Sequence, residues 1–152
     1  MVVFGGCDIN GNGLSDLWAL TAANGFGGTP ARIQLSPTGG PPTGRCFHSA
    51  VYDQANNRMI VFAGLGAGLS TFSDVWVLSN ANGLGGTPTW TQLFPQGGPP
   101  AGQADQTAVY DPTTNVMTVF GGRENGRFTA TMRCGLCRMP TAWAARLFGK
   151  SS

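Results

Sequence analysis

Three stretches of the chain repeat one pattern of apolar positions closed by small ones: MVVFGG at 1–6, MIVFAG at 59–64 and MTVFGG at 117–122. The spacing is 58 residues each time. A short run of β-branched and aromatic residues ending in glycine predicts a buried strand that closes in a sharp turn. Recurrence at one interval makes the unit of the chain a supersecondary module rather than a single strand.

Residues 1–58 align over 59–116 without a gap and give 28 identities, where chance would give about three or four at average residue frequencies. The shared pieces keep one order. The glycine-closed strand is followed by a loop that differs between copies (7–14 and 65–72), then SDLWAL at 15–20 or SDVWVL at 73–78. ANGFGGTP at 23–30 or ANGLGGTP at 81–88 leads to ARIQL at 31–35 or TWTQL at 89–93. SPTGGPPTGR at 36–45 or FPQGGPPAGQ at 94–103 then precedes AVYD at 50–53 or 108–111. The pattern predicts four short strands in the central copy, at roughly 47–52, 58–63, 73–79 and 89–93. Their weak alternation fits strands packed on both faces. Asp16 and Asp74 are expected to open their strands and bond a backbone N–H two residues on. Trp18 and Trp76 supply apolar area to bury between neighbouring sheets.

A strand ending in Gly-Gly, a variable loop, S-D-x-W-x-L, W-x-x-L and P-x-x-R in that order resemble the kelch repeat, a propeller unit of about 50 residues. The resemblance covers residues 1 to about 128. The added length lies in the NGLGGTP loop, an elaboration of bacterial-looking kelch proteins, and galactose oxidase carries a propeller of similar repeats. Ala63, Arg32 and Gln103 stand where glycine, Trp90 and Arg45 stand in other copies, departures that single blades tolerate. The resemblance implies an all-β fold, a partial kelch propeller of two to two-and-a-half four-stranded antiparallel blades. The repeats fall at 1–58, 59–116 and the start of a third at 117–128. Met1 lies inside a strand motif, so the chain reads as an arc of a larger propeller, with any leader upstream. Missing blades of the parent chain would then be partners, and the isolated arc is expected to be marginally stable.

Composition changes the picture little: 24 Gly, 10 Pro and 41% hydrophobic residues suit many short strands joined by tight turns. Charge is more informative. Residues 1–128 hold five Arg and seven acids, and the last 24 residues add four basic groups and no acid, so the formal +2 misleads. A mildly acidic body with no basic stripe argues against nucleic-acid binding. No apolar run is long enough to span a bilayer, so no membrane partner is expected. Location is left open, with an extracellular or periplasmic parent compatible with the sequence.

Beyond about Phe128 the repeat stops, although a third SDxWxL should fall at 131–136. Read with each codon begun one base before its printed boundary, 136–148 can encode LSNANGLGGTPVW, against LSNANGLGGTPTW at 78–90. The single-codon residues are the stringent ones. Met139 joined to Pro140 must give Ala, and Trp143 joined to Ala144 must give Gly, as Ala81 and Gly85 require. Residues 129–152 are therefore read as a frameshifted blade, with TAWAARLF a short helix by propensity alone. A peptide spanning the printed tail, detected in the native protein, would contradict the shifted frame.

Candidate chemistry is sparse. Cys134 and Cys137 have C-x-x-C spacing, but no second pair accompanies them and His48 is the only histidine, so no metal site is expected. Cys7 and Cys46 occupy non-equivalent repeat positions, and whether they pair or stand as isolated thiols is open. His48 has no nucleophile and acid set around it in a recognisable motif, and is read as structural. Galactose oxidase chemistry needs Tyr, His and a Tyr–Cys crosslink, whereas Tyr52 and Tyr110 are repeat-equivalent strand residues. Gly64, Gly66 and Gly68 lack the lysine and helix of a phosphate loop. No catalytic residue, cofactor or metal is assigned, and binding residues are unknown. Function is expected in the divergent loops 7–14 and 65–72. The reading is a non-catalytic scaffold for a protein or carbohydrate ligand. The alternative is the propeller portion of a secreted carbohydrate-active or oxidase-like enzyme.

Overall fold

A computed structural model describes residues 1–124 and the strands at 135–138 and 146–148. The strands are β1 Val2–Cys7, β2 Gly13–Leu20, β3 Arg32–Leu35, β4 Ser49–Asp53, β5 Arg58–Leu65, β6 Thr71–Ser79, β7 Thr89–Leu93, β8 Thr107–Asp111, β9 Val116–Phe120, β10 Gly135–Arg138 and β11 Arg146–Phe148. They form three antiparallel meanders, β1-β2-β3, β4-β5-β6-β7 and β11-β10-β9-β8. The protein is all-β, and the central sheet is one complete four-stranded blade. Its strands fall where the 58-residue pattern places them. Among the described residues no helix is long and apolar enough to cross a membrane.

Strand alternation divides the apolar residues between two interfaces. Met59, Val61, Leu78 and Trp90 of the central sheet meet Phe4 and Leu17 of the first, with Trp76 at the margin. Ile60, Phe62, Ala63 and Val75 face the other way and meet Met117 and Val119 of the third. Every residue of β5 from Met59 to Leu65 is buried. That explains its weak alternation, since both faces are interior.

Polar stitches hold the sheets in place. Asp16 and Asp74 do not open their strands; they lie inside β2 and β6. Nor do they bond a backbone N–H two residues on. Each carboxylate accepts the indole N–H of the tryptophan two residues on, at 2.7 Å. Residues i and i+2 share a strand face, so the long indole reaches a group that the backbone amide does not. Asp74 also receives a bidentate fork from Arg45, at 2.6 and 2.8 Å. Arg45 is wholly buried and donates as well to the Ala63 and Thr43 carbonyls. It ties the segment entering the central sheet to β5 and β6. Gln103, its repeat equivalent, keeps the backbone bonds, donating to Phe72 O and accepting from Gly64 N.

The other departures also have local causes. β5 pairs with β6 through a register shift between Phe62 and Gly64, matched in the first sheet between Phe4 and Gly6. At this bulge Ala63 adopts φ 58°, the same conformation as Gly5. A residue with a Cβ pays about 1 kcal/mol for it, and the bulge turns the Ala63 carbonyl toward Arg45. Arg32 lies over the Trp18 ring at 4.3 Å. On the outer edge, Thr38 bonds Pro88 and Trp90 backbone. Gly39 is required there because a Cβ would stand 2.2 Å from the Trp90 carbonyl oxygen.

In the tail, Arg146–Phe148 is a strand paired to β10, which corrects the helix expected over 141–148; residues 141–145 lie outside the described residues. Backbone pairing with β10 satisfies N–H and C=O groups that helix propensity would have turned inward. β10 pairs with β9 one residue out of the repeat register: Met117 faces Cys137, whereas the equivalent Met59 faces Leu78, 58 residues before Leu136.

Breaking the Arg45–Asp74 pair should cost the central sheet more than losing an Asp–Trp bond alone. Asp74→Ala leaves a buried guanidinium without its carboxylate and should cost about 3 kcal/mol, while Asp16→Ala loses only the indole bond and should cost about 1 kcal/mol. Burial opposes ionisation of Asp74, but the Arg45 fork, the Trp76 bond and the Arg45 charge together hold its pKa below 3.8. Its contribution is therefore present above the unfolded carboxylate pKa and lost as pH falls through the lower folded value. Urea unfolding of both variants, compared with the parent at neutral and acid pH, checks this. Equal costs for the two substitutions would contradict it.

Candidate functional site

The two divergent loops sit at the same end of their sheets, one at the end of β1 and the other at the end of β5. In the first, the Asp8 carboxylate accepts the Asn10 and Asn12 amides and the Asn12 side chain, all at 2.8 Å. These bonds, led by the Asn12 side chain, lower the Asp8 pKa. Ile9 projects from that ring, fully exposed at 101%. In the second, Gly66 N donates to Ser70 O and Ser70 Oγ to Ala67 O. Leu69 stands out of this turn, 63% exposed. The chain entering β4 reaches the same end, because Cys46 bridges Leu65, and it presents Phe47, 47% exposed. The Arg123 guanidinium lies 5.4 Å from the Phe47 ring and is ion-paired to Asp105.

The glycines of the second loop are accounted for by backbone and packing. Gly64 N donates to Gln103 O, and a Cβ at Gly66 would stand 2.6 Å from the Phe72 ring. Neither N–H of this pair is aimed at a ligand. Cys7 and Cys46 form a disulfide, with Cα atoms 5.1 Å apart, joining the end of β1 to the entry of the central sheet. The equivalent positions in the next repeat hold Leu65 and Ala104, both buried. Cys134 lies outside the described residues, and Cys137 lies on β10. Among the described residues no three His, Cys, Asp or Glu gather as a metal set.

Tyr52 and Tyr110 occupy the same position in successive sheets, and their hydroxyls donate to Asn57 and Asn115 at 2.9 and 2.8 Å. Burial and the Asp53 charge raise the Tyr110 pKa. At the opposite end from the divergent loops, the shared loops lift Phe26 and Leu84 into solvent, 80% and 75% exposed. Asn24 and Asn82 side chains brace them by accepting the amide two residues on. Between them lies a groove of ≈ 790 Å³ walled by β1, the end of β2 and β4.

His48 packs edge-on against Phe4, with ring centroids 5.5 Å apart, and its Nδ1 is buried without a hydrogen-bond partner. Burial lowers its pKa, the Arg45 charge acts in the same direction, and the nearby Arg45 carbonyl opposes them. A histidine with a depressed folded pKa stabilises the protein above its unfolded pKa of about 6.5. That contribution is lost as pH falls through the folded value. The repeat itself offers glutamine at this place, Gln106. His48→Gln should flatten the decline in melting temperature between neutral pH and about pH 5, since glutamine takes no proton. Thermal melts across that range check it, and an unchanged slope would contradict it.

A family model described as the KLHDC2/KLHL20/DRC7 Kelch-repeats domain matches residues 1–138. The F-box/kelch-repeat protein At1g51550 of Arabidopsis thaliana is 35% identical over 94 residues, covering 62% of this chain. The match spans 19% of that protein's length. This relative is a plant protein, so the bacterial and galactose oxidase-like associations gain no support from it. The repeated strand order, the Asp–Trp stitches and the family match agree: the chain belongs to the kelch-repeat family.

Proposed function

We propose that the chain is a non-catalytic protein-interaction module that binds its partner at the end carrying the divergent loops. The observation that carries the reading is the pairing of near-identical scaffold with loops that differ, each raising one bare apolar side chain, Ile9 and Leu69, at the end that also carries Phe47. Exposed apolar residues on one end of a rigid support suit partner contact. The Asn, Asp, Ser and Gly around them supply polar contacts suited to a protein, or in the weaker variant of this reading a glycan. The Arabidopsis relative's name joins kelch repeats to an F-box, which fits a propeller that serves as one module of a larger protein.

The second reading, a propeller portion of a secreted carbohydrate-active or oxidase-like enzyme, has one observation in its favour. The Cys7–Cys46 disulfide suits an oxidising compartment. The Tyr52 and Tyr110 hydroxyls, engaged with Asn57 and Asn115, do not converge with His48 on a copper site. A full reading frame carrying a secretory leader and a catalytic module would favour this reading.

Ile9→Asp combined with Leu69→Asp should weaken partner affinity about tenfold or more. Phe26→Asp combined with Leu84→Asp, at the opposite end, should not. Both pairs sit on exposed side chains, so thermal stability should stay level in each. Affinity measured on a partner purified from the source organism decides it, and equal loss in both pairs would sink the assignment of the binding end.

A further inference from the structure

The Cys7–Cys46 disulfide joins the first sheet to the central one, and the repeat shows how the same place closes without it. Cys7 ends β1 at the foot of loop 7–14, and Cys46 lies in the segment entering β4. Cys46 belongs to the central sheet, because it exchanges backbone bonds with Leu65 at the end of β5, at 2.9 and 2.7 Å. Its neighbour Arg45 is forked onto Asp74. The disulfide therefore connects the foot of one divergent loop to the foot of the other. At the next interface, between the central and third sheets, Leu65 and Ala104 take the places of the cysteines, 7% and 0% exposed. Both interfaces nevertheless carry the same two backbone bonds. In the first they run from Gly6 N to Arg45 O and from Arg45 N to Leu14 O, both at 3.0 Å. In the second they run from Gly64 N to Gln103 O at 2.8 Å and from Gln103 N to Phe72 O at 3.1 Å. The backbone closes this junction with or without sulfur, so the disulfide is an addition to it.

We infer that Cys7–Cys46 is a reversible redox latch between the two divergent loops, opened by a dithiol and closed again by the oxidised dithiol. Cys46 is 2% exposed, so the incoming thiolate attacks Cys7 Sγ. The S–S bond breaks, and Cys46 leaves as a thiolate that takes a proton from solvent. The second thiol of the dithiol then displaces Cys7, which is protonated in turn. Two electrons and two protons pass to the protein, and the dithiol becomes a disulfide. The freed Cys46 thiol has an acceptor at hand, because its Sγ lies 3.9 Å from the Gly11 carbonyl, enough for a weak S–H bond. Re-closure is intramolecular. A Cβ at Gly44 would stand 2.3 Å from Gly13 O, so the entry segment lies directly against the base of loop 7–14. Closed, the latch makes loop 7–14 move with loop 65–72. Open, it leaves the two feet joined by the backbone bonds alone, as at the next interface. This inference goes beyond the reading of that end as a binding surface and does not need it.

The test treats the whole chain with dithiothreitol in native buffer and follows Cys7 and Cys46 by alkylation and peptide mass mapping, which separates them from Cys134 and Cys137. Opening from the folded state gives a rate proportional to dithiothreitol and level with urea below the unfolding transition. The reduced chain should still unfold cooperatively, with a melting temperature lower by about 10 °C, and should recover on reoxidation. Once reduced, the Gly6 and Arg45 amides should exchange about tenfold faster or more. Those of Gly64 and Gln103, in the same bonds at the interface without sulfur, should not change. Cys46→Ala, which installs the residue that the next repeat holds there, should show the faster exchange with no reductant present. A reduction rate that climbs with urea would overturn the inference, since the bond would then open only on unfolding. A reduced chain that no longer melts cooperatively would overturn it too, by making the bond a staple that the fold requires. Equal exchange of Gly6 and Arg45 in the two states would show that the bond couples nothing.

Discussion

The whole arrangement rests on sheets that have two apolar faces and can bury only what a neighbour covers. β5 is the extreme case, with Val61 and Phe62, adjacent in sequence and pointing opposite ways, both fully buried. One is covered by the first sheet and the other by the third. Stability is therefore pairwise along the array, as in other repeat proteins. The outermost faces show the converse: Val3 on β1 and Phe120 on β9 are 43% and 53% exposed, although their sequence patterns match the buried copies.

Apolar burial does not fix register or angle, and the polar stitches supply that. Arg45 stands between two repeats and satisfies its guanidinium on Asp74 and on the carbonyls of Ala63 and Thr43. Because a buried pair gives little net energy against an apolar substitute, its contribution is positional: the strand entering a sheet is locked to the bulge and to the tryptophan-bearing strand. The disulfide ties the same entry segment to the end of β1. Both lie beneath the divergent loops, so the end read as a binding surface stands on the most constrained part of the scaffold.

Much of the fold was legible because the period is exact enough to align strands without a structure. MIVFAG, SDVWVL and TWTQL all became strands of the central sheet. The Asp–Trp bond was misread because the usual habit of aspartate, a turn bond to backbone, lost to a same-face indole two residues on. The tail's strand at Arg146–Phe148 was missed because propensity ignores an available sheet edge. For the site, the sequence pointed to loops 7–14 and 65–72 but not to Ile9, Leu69 or Phe47, whose exposure depends on loop geometry. The contrast between His48 and Gln106 was visible in the repeat alignment. Its meaning, a buried nitrogen without a hydrogen-bond partner beside the Phe4 ring, required the third dimension.

Hydrogen exchange across the three sheets of the intact chain tests the dependence of each sheet on its neighbours most directly. Amides of β5, covered on both faces, should exchange slowest, and those of β1 and β2, covered on one, distinctly faster. Protection of β1 and β2 equal to that of β5 would mean that each sheet is stable by itself, and would contradict the account.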